Sequence, residues 1–198
     1  MATLKQEIAR QLRDSSRTLA ATIKLTPELE RAGTALIAAF RRGNKILTFG
    51  NGGSSCDAQN FADELVGRYR RNRPPLPALC LTASQADLTS IANDFGYEKV
   101  FERQLEAHAK PGDIAIAIST SGNSKNVLAA VESAKKMGLL VIGLTGGNGG
   151  KLKAAADLAV CIPSQSTARI QEAHIAIIQI WCGLIEDALF PNAPKAHA

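Results

Sequence analysis

The chain has 198 residues, of which 45% are hydrophobic and 21% charged, and carries a formal net charge of +5. That length suits one domain, and that balance is ordinary for a globular fold, which excludes disordered, collagen-like and coiled-coil chains. No apolar run approaches the roughly 18–20 residues that cross a bilayer, and charges break up the first sixteen residues where a signal peptide would keep an apolar core, so the sequence reads as cytoplasmic with no membrane partner.

Leu4, Ile8, Leu12 and Leu19 recur among charges at helical spacing, which predicts an amphipathic helix over the first 23 residues. Thr26, Pro27 and Glu28 then mark a helix start, with threonine as cap, proline in the first turn and an acid near the positive end. This second helix is expected to stop at Gly43-Asn44, so that residues 1–42 form a helical segment.

Beyond it the pattern becomes strand, polar turn, helix, repeated. Lys45 to Phe49 is a short β-rich run, Gly50 to Ser55 (GNGGSS) a turn, and Cys56 to Tyr69 a helix. Leu76 to Thr82 follows Pro74, Pro75 and Pro77, which favour an extended approach to a second strand. Residues 87–93 and 97–109 read as helices. Asp113 to Ser119 is an apolar strand suited to burial on both faces of a parallel sheet. Ser119 to Ser124 (STSGNS) is the next turn and Asn126 to Met137 the next helix. Leu139 to Thr145 and Asp157 to Ile162 complete five strands, with Gly146 to Gly150 between them, and a long helix runs from about 167 to 189. The expected fold is α/β: a single three-layer domain over residues 1–198, with an open five-stranded parallel sheet flanked by helices. Ligands of such sheets bind beyond the carboxyl ends of the strands, where both polar turns fall.

The glycine turn after the first strand does not complete GxGxxG, because position 55 is serine, and no Gly-Lys-Ser/Thr makes it a P-loop. It remains a turn whose glycines let backbone N–H groups approach a ligand ahead of a helix N-terminus. The STSGNS turn packs four hydroxyl side chains into six residues between a strand and a helix, which suits a phosphate monoester. An ordinary capped turn is the plainer reading of the same composition. With no lysine in the loop and no carboxylate for magnesium, a nucleoside triphosphate does not fit.

The four cysteines, Cys56, Cys80, Cys161 and Cys182, form no CxxC or CxxH pair and read as buried free thiols. The densest basic stretch, Arg68 to Arg73, reads first as a solvated helix end and second as an attractor of anions. It does not extend into a stripe, which argues against nucleic acid. Of the three histidines, His108 ends a helix, where its charge complements the dipole, and His197 lies in a Pro/Ala tail.

GNGGS at 50–54, STSGNS at 119–124 and ARIQEAH at 168–174 resemble the sugar isomerase (SIS) domain, and within it the sedoheptulose-7-phosphate isomerase (phosphoheptose isomerase) family. The similarity runs through Asp57-Ala58-Gln59, Phe61-Ala62, Glu64, Gly67-Arg68-Tyr69 and Asn93-Asp94-Phe95-Gly96, and rests on the order and spacing of these motifs. It implies conversion of sedoheptulose 7-phosphate to D-glycero-D-manno-heptose 7-phosphate, a step toward bacterial surface heptose, by a homotetramer with active sites between subunits. By the same resemblance Ser119, Thr120, Ser121 and Ser124 hold the phosphate, Asn51, Gly52, Gly53, Ser54 and Asp94 contact the sugar, and Glu64 and Gln171 stand at the reacting end.

Glu64 fits the base that a ketose–aldose proton transfer needs. Taken alone it would be a helix-surface carboxylate paired with Arg68 four residues on. Gln171 and Glu172 beside Arg169 would likewise be surface polar residues, and Asp94 would be the end of a helix. The family's zinc site joins the glutamate and glutamine to two histidines, and here Asn60 and Gln179 stand at those two positions. Amides neither titrate near neutrality nor match imidazole as zinc ligands. The zinc implied by the family is therefore not expected here, and no other cofactor is. His174 lies on a different line of its helix from Gln171, and a packing or interface role is expected for it. Two other readings stay open: a sugar-phosphate sensor or a partner protein like the DnaA initiator-associating proteins, and an isomerase inactivated by the two amides.

Overall fold

The computed structural model describes residues 3–196, and His197 lies outside them. Strands β1 (Ile46–Gly50), β2 (Ala78–Cys80), β3 (Ile114–Ile118), β4 (Leu140–Gly146) and β5 (Leu158–Ile162) are all parallel, in the order β2-β1-β3-β4-β5. Every residue of β1 and β3 is buried, as expected of strands covered on both faces. The two-residue period of β3 sorts its side chains. Ile114, Ile116 and Ile118 face one core with α2 (Thr26–Arg41), α3 (Gly53–Val66) and α8 (Thr167–Leu189). Ala115 and Ala117 face the other, with α5 (Glu102–His108), α6 (Lys125–Lys136) and α7 (Gly150–Ala155). The small alanines leave that second face to side chains from the helices and loops, Phe101, Leu105, Val127 and Val131 among them.

Several element boundaries move for identifiable reasons. α3 begins at Gly53 rather than Cys56: Gly52 turns the chain at φ 56°, and the N–H groups of Ser54 and Ser55 close on the carbonyls of Asn51 and Gly52. The helix expected over 97–109 is a 3-10 turn at Tyr97–Lys99 followed by α5, set off from α4 (Gln85–Phe95) by Gly96 at φ 87°. α7 fills the segment after the Gly146–Gly150 run, which the sequence marks only as a turn. Thr26 does not cap α2. Its hydroxyl donates to the Ile23 carbonyl, and a 3-10 turn at Ile23–Leu25 carries α1 (Leu4–Thr22) directly into α2.

The Arg68–Arg73 stretch is not a solvated helix end. The Glu186 carboxylate on α8 accepts the main-chain N–H groups of Tyr69 (3.0 Å), Arg70 (2.8 Å) and Arg71 (3.0 Å), and Nε of Arg73 (3.0 Å). The Arg73 and Glu186 side chains are 0% and 1% exposed. Arg73 also donates to the carbonyls of Glu64 and Leu65, closing the C-terminus of α3. Arg71 pairs with Asp187 at 2.6 Å. The cysteines divide: Cys80 and Cys182 are buried, Cys161 is half-buried and Cys56 is exposed, so the expectation of buried thiols fails at Cys56. Cys56 sits on α3 next to buried Asp57 but points away from the core. Among the described residues no helix is long and apolar enough to cross a membrane.

Candidate functional site

The chain leaves β1 for the edge strand β2 and returns to β3 on the other side of β1. This reversal opens a crevice at the carboxyl ends of β1 and β3, where open α/β sheets take ligands. The two polar turns meet there because Gly50 and Ile118, the last residues of the two strands, are register partners. A side chain at Gly50 would run into the Ile118 carbonyl and Ser54. Behind the turns stand the N-termini of α3 and α6, with their positive dipole ends.

The second turn is held open from below. Gly122 adopts φ 66° against the Gly149 carbonyl, where a Cβ would overlap backbone. Thr120 O accepts from Gly146 N at 3.1 Å and Gly122 O from Leu152 N at 2.9 Å, tying the turn to the end of β4 and to α7. Ser119 and Ser124 hydroxyls lie 3.1 Å apart, and Ser124 does not spend its side chain on capping α6. Thr120 and Ser121 line a cavity of about 290 Å³ with Asn123, Asn148, Gln165 and Thr167. The four hydroxyls assigned to phosphate thus gather on one turn.

Asn51 is fixed by residues the sequence did not single out. Its side chain and that of Asn126, the latter 3% exposed on α6, exchange two hydrogen bonds of 2.8 and 2.9 Å. Tyr97 Oη donates to Asn51 Oδ1 at 2.9 Å. This network joins the first turn, the start of α6 and the segment after α4. Amide residues flanking two turns gave no pattern to read, since the pairing appears only when β1 and β3 are neighbours. Ser54 is buried within the first turn of α3. Gln171, one turn into α8, lies against Gly53, where any side chain would collide with its amide. Asp94, at the exposed end of α4, accepts from its neighbour Asn93 at 2.8 Å and, among the described residues, is linked to the crevice through the chain leading to Tyr97.

Glu64 stands elsewhere. It follows Gly53 by eleven residues, about 16 Å along the axis of α3. The chain there is entering β2: Leu76 N bonds Leu65 O, and Pro77 O receives Ile46 N at the start of β1. Glu64 therefore lies toward the amino edge of the sheet, and within one protomer it stands well apart from Gln171, which packs on Gly53, and from the hydroxyl turn. Its partner is not Arg68, which bonds Asn72. Nε2 of Gln179 on α8 donates to Glu64 Oε1 at 3.3 Å and to Asn60 Oδ1 at 2.8 Å.

These residues do not fit zinc. Asn60, Glu64, Gln171 and Gln179 offer one carboxylate and three amides. The first, second and fourth are turned toward one another, so the Gln179 amide already engages Glu64 and Asn60, and none of the three amides matches imidazole as a zinc ligand. Among the described residues no three His, Cys, Asp or Glu side chains gather as a metal site would need.

Two buried titratable groups lie between the clusters. Asp57, one turn into α3, is 7% exposed with Oδ2 unpartnered among the described residues, and burial pushes its carboxyl up to about 6. His174 on α8 is fully buried. One ring nitrogen lies 3.2 Å from the Thr145 carbonyl, and burial pulls the ring down to about 4 despite that contact.

The sequence profile of the SIS domain matches residues 10–146. A phosphoheptose isomerase from Leptospira biflexa is 51% identical over 187 residues, covering 92% of this chain and 95% of that protein. Among solved structures, phosphoheptose isomerases from Francisella tularensis and Neisseria gonorrhoeae superpose with TM-scores of 0.91 and 0.89 at 35% and 39% identity. They cover 94% and 93% of this chain and the whole of each of those chains. The profile covers residues 10–146, and sequence and three-dimensional likeness extend over nearly the whole length: the chain belongs to the phosphoheptose isomerase family of SIS-domain proteins.

Proposed function

We propose that this protein interconverts sedoheptulose 7-phosphate and D-glycero-D-manno-heptose 7-phosphate in the cytoplasm. The observation that carries the reading is the turn of four hydroxyls at the switch point, backed by the α6 N-terminus and tied to a glycine turn that opens α3. Ser119, Thr120, Ser121, Ser124 and nearby main-chain N–H groups bind the ester phosphate. Asn51, with Gly52, Gly53, Ser54 and Asp94, orients the sugar, and Gln171 donates to its oxygens. The reaction removes a proton from C1 of the ketose, passes through an enediolate and returns a proton to C2, so a carboxylate base and donors to two oxygens suffice in kind. Glu64 is that base.

In this reading the base reaches the sugar from a second copy of the chain, because about 16 Å of α3 separates Glu64 from its own glycine turn. The apolar side of α1 supports such an assembly: Leu4, Ile8 and Leu12 are 79%, 53% and 67% exposed, and Ile180 and Leu184 on α8 are exposed as well. The assembly proposed is a homotetramer with composite sites.

The test is to supply sedoheptulose 7-phosphate and follow aldose formation. The unaltered protein is expected to turn over. Glu64→Gln is expected to lose about 10²- to 10⁴-fold in kcat while thermal protection by the sugar phosphate persists. Protection without turnover in the unaltered protein would identify a sensor instead.

A further inference from the structure

We infer that Gln179 is a positioning residue for Glu64, and that a braced amide, in place of a metal, holds the carboxylate in its working orientation. This rests on the reading of Glu64 as the base. The Gln179 amide nitrogen carries two hydrogens, and both are directed: one to Glu64 Oε1 at 3.3 Å, the other to Asn60 Oδ1 at 2.8 Å. Asn60 and Glu64 are four residues apart on α3 and so lie on one face of it, while Gln179 comes from α8. Two acceptors on one helix and one donor group on another fix the plane of the amide, and the amide fixes one carboxylate oxygen. The second oxygen of Glu64 is left to meet a carbon-bound proton.

The backbone under this carboxylate is also held. Arg73 donates to the Glu64 carbonyl and is itself buried against Glu186, so the end of α3 and the α8 side of the contact belong to one packed unit. A neutral donor suits a base better than a metal on the same oxygen. A full positive charge on that oxygen would stabilise the carboxylate, and so oppose proton removal, more strongly than a neutral N–H that chiefly orients the group.

The decisive variant is Gln179→Met, similar in length but without a donor. An interaction that only aims the base acts in the transition state, so kcat is expected to fall roughly 10- to 100-fold with KM and Tm nearly unchanged. Gln179→Met with unaltered kcat overturns the inference. If that variant does not fold, half-buried Asn60→Ala decides: it frees the amide to rotate, and a lower kcat at unchanged KM upholds the bracing role, while an unaltered kcat removes it. Purified protein is also expected to carry no stoichiometric metal and to keep its activity after dialysis against a chelator. One bound zinc per chain, lost together with activity, overturns the inference. Glu64→Gln separates this from the underlying reading: full activity in Glu64→Gln removes the base itself, whereas an inactive Glu64→Gln beside a fully active Gln179→Met removes only the amide brace.

Discussion

In the proposed reading α3 meets a ligand at its start with main chain, glycine and short hydroxyls; at its end it presents a glutamate held by one glutamine from a distant helix. The first region is built within two turns of sequence, 50–55 and 119–124, brought together by a single strand pairing. The second joins Asn60 and Glu64 to Gln179, more than 110 residues away, and rests on an equally remote pair, Arg73 with Glu186. Anion binding needs N–H groups and oxygens at fixed backbone positions, which turn geometry supplies locally. Proton abstraction needs one carboxylate aimed to within a fraction of an ångström, which takes packing between elements.

The sharpest way to break this division is complementation. Ser119→Ala combined with Ser124→Ala disables the first region, and Glu64→Gln disables the second. Each protein alone is expected to be nearly inactive. Oligomers reassembled from an equal mixture are expected to recover about a quarter of their sites, because a composite site then draws one intact region from each copy. No recovery, with mixed oligomers demonstrated, would put both regions in one protomer's site.

Next in size is Arg73→Met. It strands Glu186, which also holds three main-chain N–H groups, in a buried position, and about 3–5 kcal/mol of stability should be lost in denaturant unfolding. A loss below about 1 kcal/mol would mean that the amino-edge region does not depend on this pair.

The smallest effect concerns the buried carboxyl under the first region. With Asp57 raised from 3.8 to about 6 in the fold, the unfolded chain ionises first, so stability is lost as pH rises from about 4 through 6. The shift sets an upper bound of about 3 kcal/mol. Asp57→Asn should therefore be the more stable protein at pH 7, and its advantage should shrink to nothing near pH 4. His174 works in the opposite direction, losing stability as pH falls from 6.5 through 4, but it is common to both proteins and cancels in the difference. An Asp57→Asn advantage independent of pH would show that the carboxyl ionises freely in the fold.

Much of this was legible before any coordinates. All five strands follow from β-rich or apolar runs bounded by turns, and the hydroxyl turn from its composition, because both signals are local. Three things were not. The basic stretch 68–73 looks solvated in sequence, because nothing beside it announces that Glu186 will collect its N–H groups. Asn126 and Tyr97 carry no pattern, yet they anchor Asn51 across the crevice. Glu64 and Gln171, joined by resemblance at one reacting end, lie at different levels of the sheet in one protomer, because α3 and α8 descend side by side and carry them apart.

By itself, then, the order of residues determined the parallel sheet and the placing of both polar turns at strand ends, since periodicity and turn chemistry act between near neighbours. Only the tertiary structure decided which side chains stand around Glu64, which arginine is buried and which amides lock Asn51. Those outcomes depend on how helices far apart in the chain are brought alongside one another, and no local pattern encodes that register.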